Sequence, residues 1–129
     1  MMQPAQAPGF VPGQHMIEAY GAGGFRFAGL SHRGSILALP DGVYAWNITS
    51  VEAVDPAFLA GKLAEAAQPV DILIIGCGAR MLPPYAPQVL ALKALGVNAD
   101  WLDTATAART YSFLLDEGRR VAAALIAIA

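Results

Sequence analysis

A single cysteine, Cys77, in a chain of 129 residues leaves nothing for it to pair with intramolecularly. That excludes a disulfide framework and fits a reducing compartment. His15 and His32 stand apart from each other and from that thiol. They offer no metal-binding cluster, and no metal or other cofactor is expected. Charge is scarce as well: charged residues make up 14%, with 8 Lys and Arg against 10 Asp and Glu, a net charge of −2. A pI near 5.5 without a basic stripe argues against a grip on nucleic acid. No segment approaches the roughly 20 apolar residues of a membrane-spanning helix. The longest uncharged apolar run, Val121 to Ala129, is too short. The first residues have neither the basic start nor the apolar centre of a signal peptide. The expectation is a soluble, cytoplasmic protein.

What the chain has instead is apolar content: 56% hydrophobic residues and a mean hydropathy of +0.47. That is high for a small domain, so either both faces of a sheet are covered or apolar surface meets a partner. The Pro-, Gly- and Gln-rich stretch over residues 1–15 reads as a disordered tail, and residues 16–129 as one domain.

The organising stretch is Val70 to Pro84. Val70-Asp71-Ile72-Leu73-Ile74-Ile75 has the composition of a strand buried on both faces. Gly76-Cys77-Gly78 lets the chain leave a sheet sharply, Arg80 follows, and Pro83-Pro84 bars regular structure before the next helix. Open α/β sheets place a ligand crevice at such a point, outside the carboxyl ends of their strands.

Upstream, short alternating segments predict an antiparallel meander. Strands are expected at Met16–Tyr20, Phe25–Phe27, Ile36–Leu39 and Val43–Trp46, with turns at Gly21–Gly24, Ser31–Ser35 and Pro40–Gly42. Asp55-Pro56 starts a helix with Leu59, Leu63 and Ala66 on one face. Downstream, Tyr85–Leu95 predicts a helix with Val89 and Leu92 inside, and Val97–Leu102 a strand. A third helix starts at Asp103-Thr104 and ends at Gly118, with Ala108, Tyr111 and Leu115 inside. Arg119–Ile128 is the last strand. Strand, helix, strand, helix, strand with short links demands parallel pairing, so the fold class is α/β with a mixed sheet: N-terminal antiparallel strands joined to a C-terminal βαβαβ unit.

Gly76-x-Gly78, Pro83-Pro84, Asp103-Thr104, Arg109-Thr110-Tyr111 and Glu117-Gly118-Arg119-Arg120, with Tyr20-Gly21, Phe25-Arg26 and Gly34-Ser35 upstream, give the chain its likeness to a known family. From about Met16 onward it resembles the Mth938-domain family, a domain of unknown function whose members include a mitochondrial assembly factor of respiratory complex I. The resemblance implies a compact three-layer α/β fold, no established catalytic activity and no catalytic residue to carry over. Relatives often carry a cysteine just before the Arg-Thr-Tyr segment, where this chain has Ala108, and many have a hydroxyl residue where it has Cys77.

Each candidate has a plainer reading beside it. Gly76 to Arg80 is either an anion cradle of backbone N–H groups and a guanidinium or simply a turn; lacking G-x-G-x-x-G and a P-loop lysine, it fits the turn better. Cys77 beside Arg80 is either an activated thiol or, more in keeping with a strand end, an inert small hydrophobe. Thr104 and Asp103 sit where a crevice belongs, yet capping accounts for both. Arg109 either meets a ligand there or pairs with a carboxylate such as Asp103, and the ion pair is favoured. His15 and His32 read as solvated. For Trp46, Tyr44 and Trp101 the choice is between an exposed anchor and packing in the core, the commoner fate, with Trp46 the best candidate for exposure.

The binding residues expected are therefore Gly76, Gly78, Arg80, Thr104 and Arg109, with no catalytic and no metal-ligating set. The function expected is a non-catalytic, assembly-factor-like interaction domain. Through the resemblance, its partner is a protein: membrane-complex subunits or another assembly factor, which would place the chain peripherally at an inner membrane. The alternative is a binder of, or enzyme on, a small anionic ligand at Gly76–Arg80.

Overall fold

The computed structural model describes residues 5–6 and 9–129. In chain order the strands are β1 (Ala5–Gln6), β2 (Phe10–Pro12), β3 (Ala19–Gly21), β4 (Gly24–Phe27), β5 (Leu30–Arg33), β6 (Ser35–Leu39), β7 (Gly42–Trp46), β8 (Ile72–Gly76), β9 (Ala99–Leu102) and β10 (Val121–Leu125). The helices are α1 (Pro56–Ala64), α2 (Pro87–Ala94) and α3 (Thr104–Asp116). The fold is mixed α/β, as the sequence predicts, with one difference in plan. The strands divide into two sheets: a central one in the order β2-β7-β6-β10-β8-β9 and a smaller one in the order β1-β5-β4-β3.

In the central sheet β10 lies in the middle, parallel to β8 and antiparallel to β6, while β9 runs parallel to β8 at one edge. The connection from β8 to β9 moves outward and the one from β9 to β10 returns past β8. Crossovers of one hand that travel in opposite directions put their helices on opposite faces. Accordingly Leu92 of α2 joins Leu59 of α1, Leu73, Ile75 and Ile126 in one core. Ala107, Ala108 and Tyr111 of α3 join Ile74, Ala123, Leu125, Phe25 and Phe27 in the other. The result is three layers: α1 and α2, the central sheet, then α3 beside the small sheet. Two covered faces account for the high apolar content; all of β10 is buried, and Ile74 and Ile75 are 0% exposed. Alanines at 122, 123 and 124 keep that middle strand thin, so both layers approach closely.

Asp55 caps α1 as expected, accepting from the N–H groups of Ala57 and Phe58 with Pro56 at the first helical position. The N-terminal half departs from expectation in three places. The strand foreseen at Met16–Tyr20 is Ala19–Gly21. The second turn is not Ser31–Ser35: Leu30–Arg33 is strand, and the hairpin reverses at Ala28-Gly29, both at positive φ (53° and 71°). A two-residue loop with positive φ at both positions matches the twist of its strands, so a pair without a polar turn residue still reverses the chain. His32 is buried, its Nε2 3.2 Å from the Ser35 carbonyl oxygen, because alternation along β5 points it inward. Trp46 is 7% exposed and belongs to the core on the α1–α2 side, the commoner of its two readings, and is no surface anchor.

The expected disordered tail also needs correcting. Phe10–Pro12 pairs antiparallel with Tyr44, Val43 and Gly42, and Val11 is buried. Pro12 is tolerated there because β2 is an edge strand, where a missing N–H breaks no inner ladder. Ala5–Gln6 likewise pairs in parallel with Leu30 and Ser31, and the part of that expectation at residues 1–4 and 7–8 lies outside the described residues.

Candidate functional site

The carboxyl ends of β8 and β9 meet where their connections leave toward opposite faces, the point at which an open α/β sheet parts to admit a ligand. Here the strand ends are hydrogen-bonded to one another. The Cys77 N–H donates to the Leu102 carbonyl (2.7 Å), the Thr104 N–H to the Gly78 carbonyl (2.8 Å), and the Gly78 N–H to Thr104 Oγ1 (2.9 Å). Thr104 Oγ1 itself donates to the Ile126 carbonyl (2.6 Å), and the Ile126 N–H donates to the Gly76 carbonyl (3.0 Å). One threonine, 0% exposed, thereby ties the ends of β8, α3 and β10 together. Of the expected binding residues, Gly76, Gly78 and Thr104 are brought into this one cluster.

Each glycine has its own reason. A Cβ on Gly76 would fall 2.9 Å from Thr104 Oγ1 and 3.1 Å from Leu125 Cδ2, so its absence lets α3 begin against the strand. Gly78 has φ +93° with open space around its Cα, and turns the chain outward. Arg80 and Met81 follow into solvent.

Arg109 is exposed, and its Nη1 donates to the Tyr20 hydroxyl at 2.7 Å. Five residues beyond Thr104, it lies about 140° round the helix from it. The expected ion pair with Asp103 is not made. Asp103 instead caps α3, taking the Thr106 N–H on Oδ2 (3.0 Å) and the Thr106 hydroxyl on Oδ1 (2.8 Å). Those two bonds, with a lesser contribution from the Arg109 charge, hold its carboxyl below the usual range. Cys77 is buried at the strand end, and burial foremost, with the Asp103 charge adding, pushes its thiol up. A thiol so placed is a poor nucleophile.

What the sequence reading missed is on the outside. Met81, Tyr85, Leu90 and Leu95 are exposed by 59%, 77%, 52% and 51%, all within the segment that follows the glycine turn. Spacing held the signal for Leu90: two positions from buried Leu92, it stands about 200° round α2. Arg26 and Arg33, on the solvent side of the small sheet, were also passed over. Among the described residues no three of His, Cys, Asp and Glu gather as metal ligands, and no helix is long and apolar enough to cross a membrane.

A mixed sheet between a helical layer and a helix-plus-sheet layer, its parallel-strand ends sewn together by a threonine, defines a Mth938-like α/β scaffold. The chain belongs to the family described as protein of unknown function (DUF498/DUF598), whose model matches residues 17–126. It is 43% identical over 119 residues to an uncharacterized protein of Rhodobacter capsulatus, covering 92% of this chain and 89% of that one. It is 31% identical over 111 residues to human NADH dehydrogenase [ubiquinone] 1 alpha subcomplex assembly factor 3, covering 85% of this chain and 59% of the human protein. The solution structure of a Mth938-like domain from Bordetella pertussis superposes with a TM-score of 0.68 at 30% identity, covering 98% of this chain and 92% of that one. The chain thus spans about three fifths of the length of its human assembly-factor relative.

Proposed function

We propose that this chain is an interaction domain of the assembly-factor type, which works by holding a protein partner rather than by transforming a substrate. The observation that carries the reading is the exposed apolar series Met81, Tyr85, Leu90 and Leu95, with Arg80 at its edge. Large apolar side chains left exposed are what a partner surface would cover, and aromatic, Met and Arg side chains are enriched at interfaces. Gly76, Gly78 and Thr104 act in this reading as the hinge plate that presents the loop, and Arg109 as scaffold. Homology to complex I assembly factors supports the class of partner, a subunit or fellow assembly factor of a membrane complex. The protein would then be cytoplasmic and reach an inner membrane only through that partner.

The test is affinity capture from native lysate with the membrane fraction retained, comparing the wild-type chain with Leu90→Glu/Leu95→Glu. Both side chains are about half exposed, so the variant should fold, and its melting temperature is checked alongside. A defined set of proteins held by the wild type and lost from the variant supports the reading. Equal capture by both sinks it. The competing reading, a small anionic ligand at Gly76–Arg80, predicts instead that phosphate or carboxylate metabolites raise the melting temperature by mass action and that Arg80→Ala removes the effect.

A further inference from the structure

On the side of the molecule away from α2, the small sheet turns Phe25, Phe27 and Leu30 toward the core. Alternation therefore gives its outer face to Ala19, Gly21, Gly24, Arg26, Ser31 and Arg33. Four of these are too small to rise from the sheet, and one is small by necessity: a Cβ on Gly24 would collide with the His32 carbonyl oxygen. The face is a depression of about 450 Å³, with backbone for its floor and two arginines standing from it.

The register sets the spacing of those arginines. Gly24 is opposite Arg33 and Arg26 opposite Ser31, so Arg26 and Arg33 are diagonal neighbours on one face, about 7–8 Å apart. Both are exposed, and neither makes an ion pair among the described residues, where the pairs are Lys62–Glu65 and Arg120–Asp71. In a chain of net charge −2, two guanidiniums left without carboxylates over a bare floor are a local reversal of sign.

We propose that this depression docks an extended, acidic segment of a protein partner, with carboxylates at alternate positions meeting Arg26 and Arg33. Alternate residues of an extended chain share a face and lie about 6.6–6.8 Å apart, which matches the diagonal. Each guanidinium can take a carboxylate through two parallel N–H bonds. The floor of small residues lets the segment's backbone lie close, with the Ser31 hydroxyl as a further donor. A small molecule is a poorer fit, because ligand pockets enclose most of their occupant and this face is open. The site is separate from the apolar surface on the α2 side and does not depend on it.

The experiment is an NMR titration of the 15N-labelled full chain with two octapeptides of equal composition. One alternates glutamate and threonine; the other sets its glutamates in adjacent pairs, so that no two lie two positions apart. The expected result is saturable shifts at the amides of Arg26, Ser31 and Arg33, tighter for the alternating peptide and weakened by salt. Arg26→Glu/Arg33→Glu should weaken binding about tenfold or more, since each substitution removes a charge-assisted bond. Arg119→Glu, an exposed charge reversal elsewhere, should not. The proposal is overturned if neither peptide shifts those amides, or if both bind alike. It is equally overturned if the double variant binds as well as wild type with its spectrum intact. Inorganic phosphate saturating the same amides more tightly than the alternating peptide would also overturn it, marking a small-anion site.

Discussion

Gly76 and Thr104 are in such close contact that a Cβ on the glycine would lie 2.9 Å from the threonine hydroxyl and 3.0 Å from its Cα. That contact fixes where α3 begins against β8, and through the Thr104 bonds it also fixes the ends of β10 and of the loop to Arg80. The place where a ligand crevice was expected thus carries a structural joint built on one threonine hydroxyl.

Gly76→Ala should cost about 1–3 kcal/mol, because backbone has to give way in a close-packed site. Thr104→Val keeps the shape of the side chain but strands the Gly78 N–H and the buried Ile126 carbonyl, at a further cost of about 1–3 kcal/mol. Thr104→Ser retains the hydroxyl and should lose less. Denaturant titrations of the three variants check the ranking. A Thr104→Val protein as stable as the wild type would show that the joint is not held by this hydroxyl.

Asp103 makes stability depend on acid. Its folded carboxyl titrates below its unfolded value of about 3.9, so its contribution is complete above that pH and fades as pH falls through the lower folded value. Asp103→Ala should therefore lower stability at neutral pH by about 1 kcal/mol, the usual worth of an N-cap. It should also flatten the part of the acid-unfolding profile below about pH 4. Asp103→Asn keeps an acceptor for the Thr106 N–H and should preserve most of the neutral-pH stability while losing the same acid dependence. Melting curves from acid to neutral pH separate the two effects.

Cys77 sits at the end of β8, 6% exposed, with its thiol held protonated by burial and by the nearby Asp103 charge. Alkylation by iodoacetamide at about pH 7.5 should accordingly be slow in the folded protein and rise to the rate of a free thiol in denaturant. Cys77→Ala should then leave partner binding unchanged. Fast native-state labelling would restore the reactive-thiol reading.

The parallel half of the fold was legible because burial and capping are written locally there. Ile72 to Ile75 is apolar throughout, Asp103 precedes its helix, and Gly118 ends it. The antiparallel half was less so, and Ala28 shows why. Its φ of 53° is imposed by the hairpin, whereas the residue type says helix or strand; the polar cluster from Ser31 onward drew the turn forward instead. The split into two sheets, and the arginine pair on the smaller one, depend on long-range register that no short window contains. The same mismatch offers an improvement. Ala28→Asn would supply the residue that tolerates positive φ at this turn position. It should stabilise the protein by about 0.5–1 kcal/mol, part of the 1–2 kcal/mol cost of a left-handed residue with a Cβ. A shift of the denaturation midpoint to lower denaturant would contradict the turn as described.

The stretch that reads as tail provides the last prediction. Phe10–Pro12 lies along β7, with Val11 opposite Val43 and buried in the α3-side core, and the Phe10 ring 4.7 Å from that of Tyr44. Gly42 makes room for it, since a Cβ there would run into the Phe10 ring and the Val11 carbonyl. The Ala45 N–H donates to the Gly9 carbonyl at 2.8 Å and the Gly13 N–H to the Asp41 carbonyl at 3.0 Å, so the strand is bonded at both ends. Burying a valine contributes about 1.5–3 kcal/mol and an aromatic pair about 0.5–1.5. Phe10→Ala/Val11→Ser should thus destabilise the chain by about 2–4 kcal/mol. Loss of the strand should also open the edge of β7, which hydrogen exchange reads directly: the Ala45 amide, protected in the wild type, should exchange much faster in the variant, while Ile74 in the middle of the sheet stays slow. An unchanged melting temperature together with an Ala45 amide that is already fast in the wild type would return these residues to a tail.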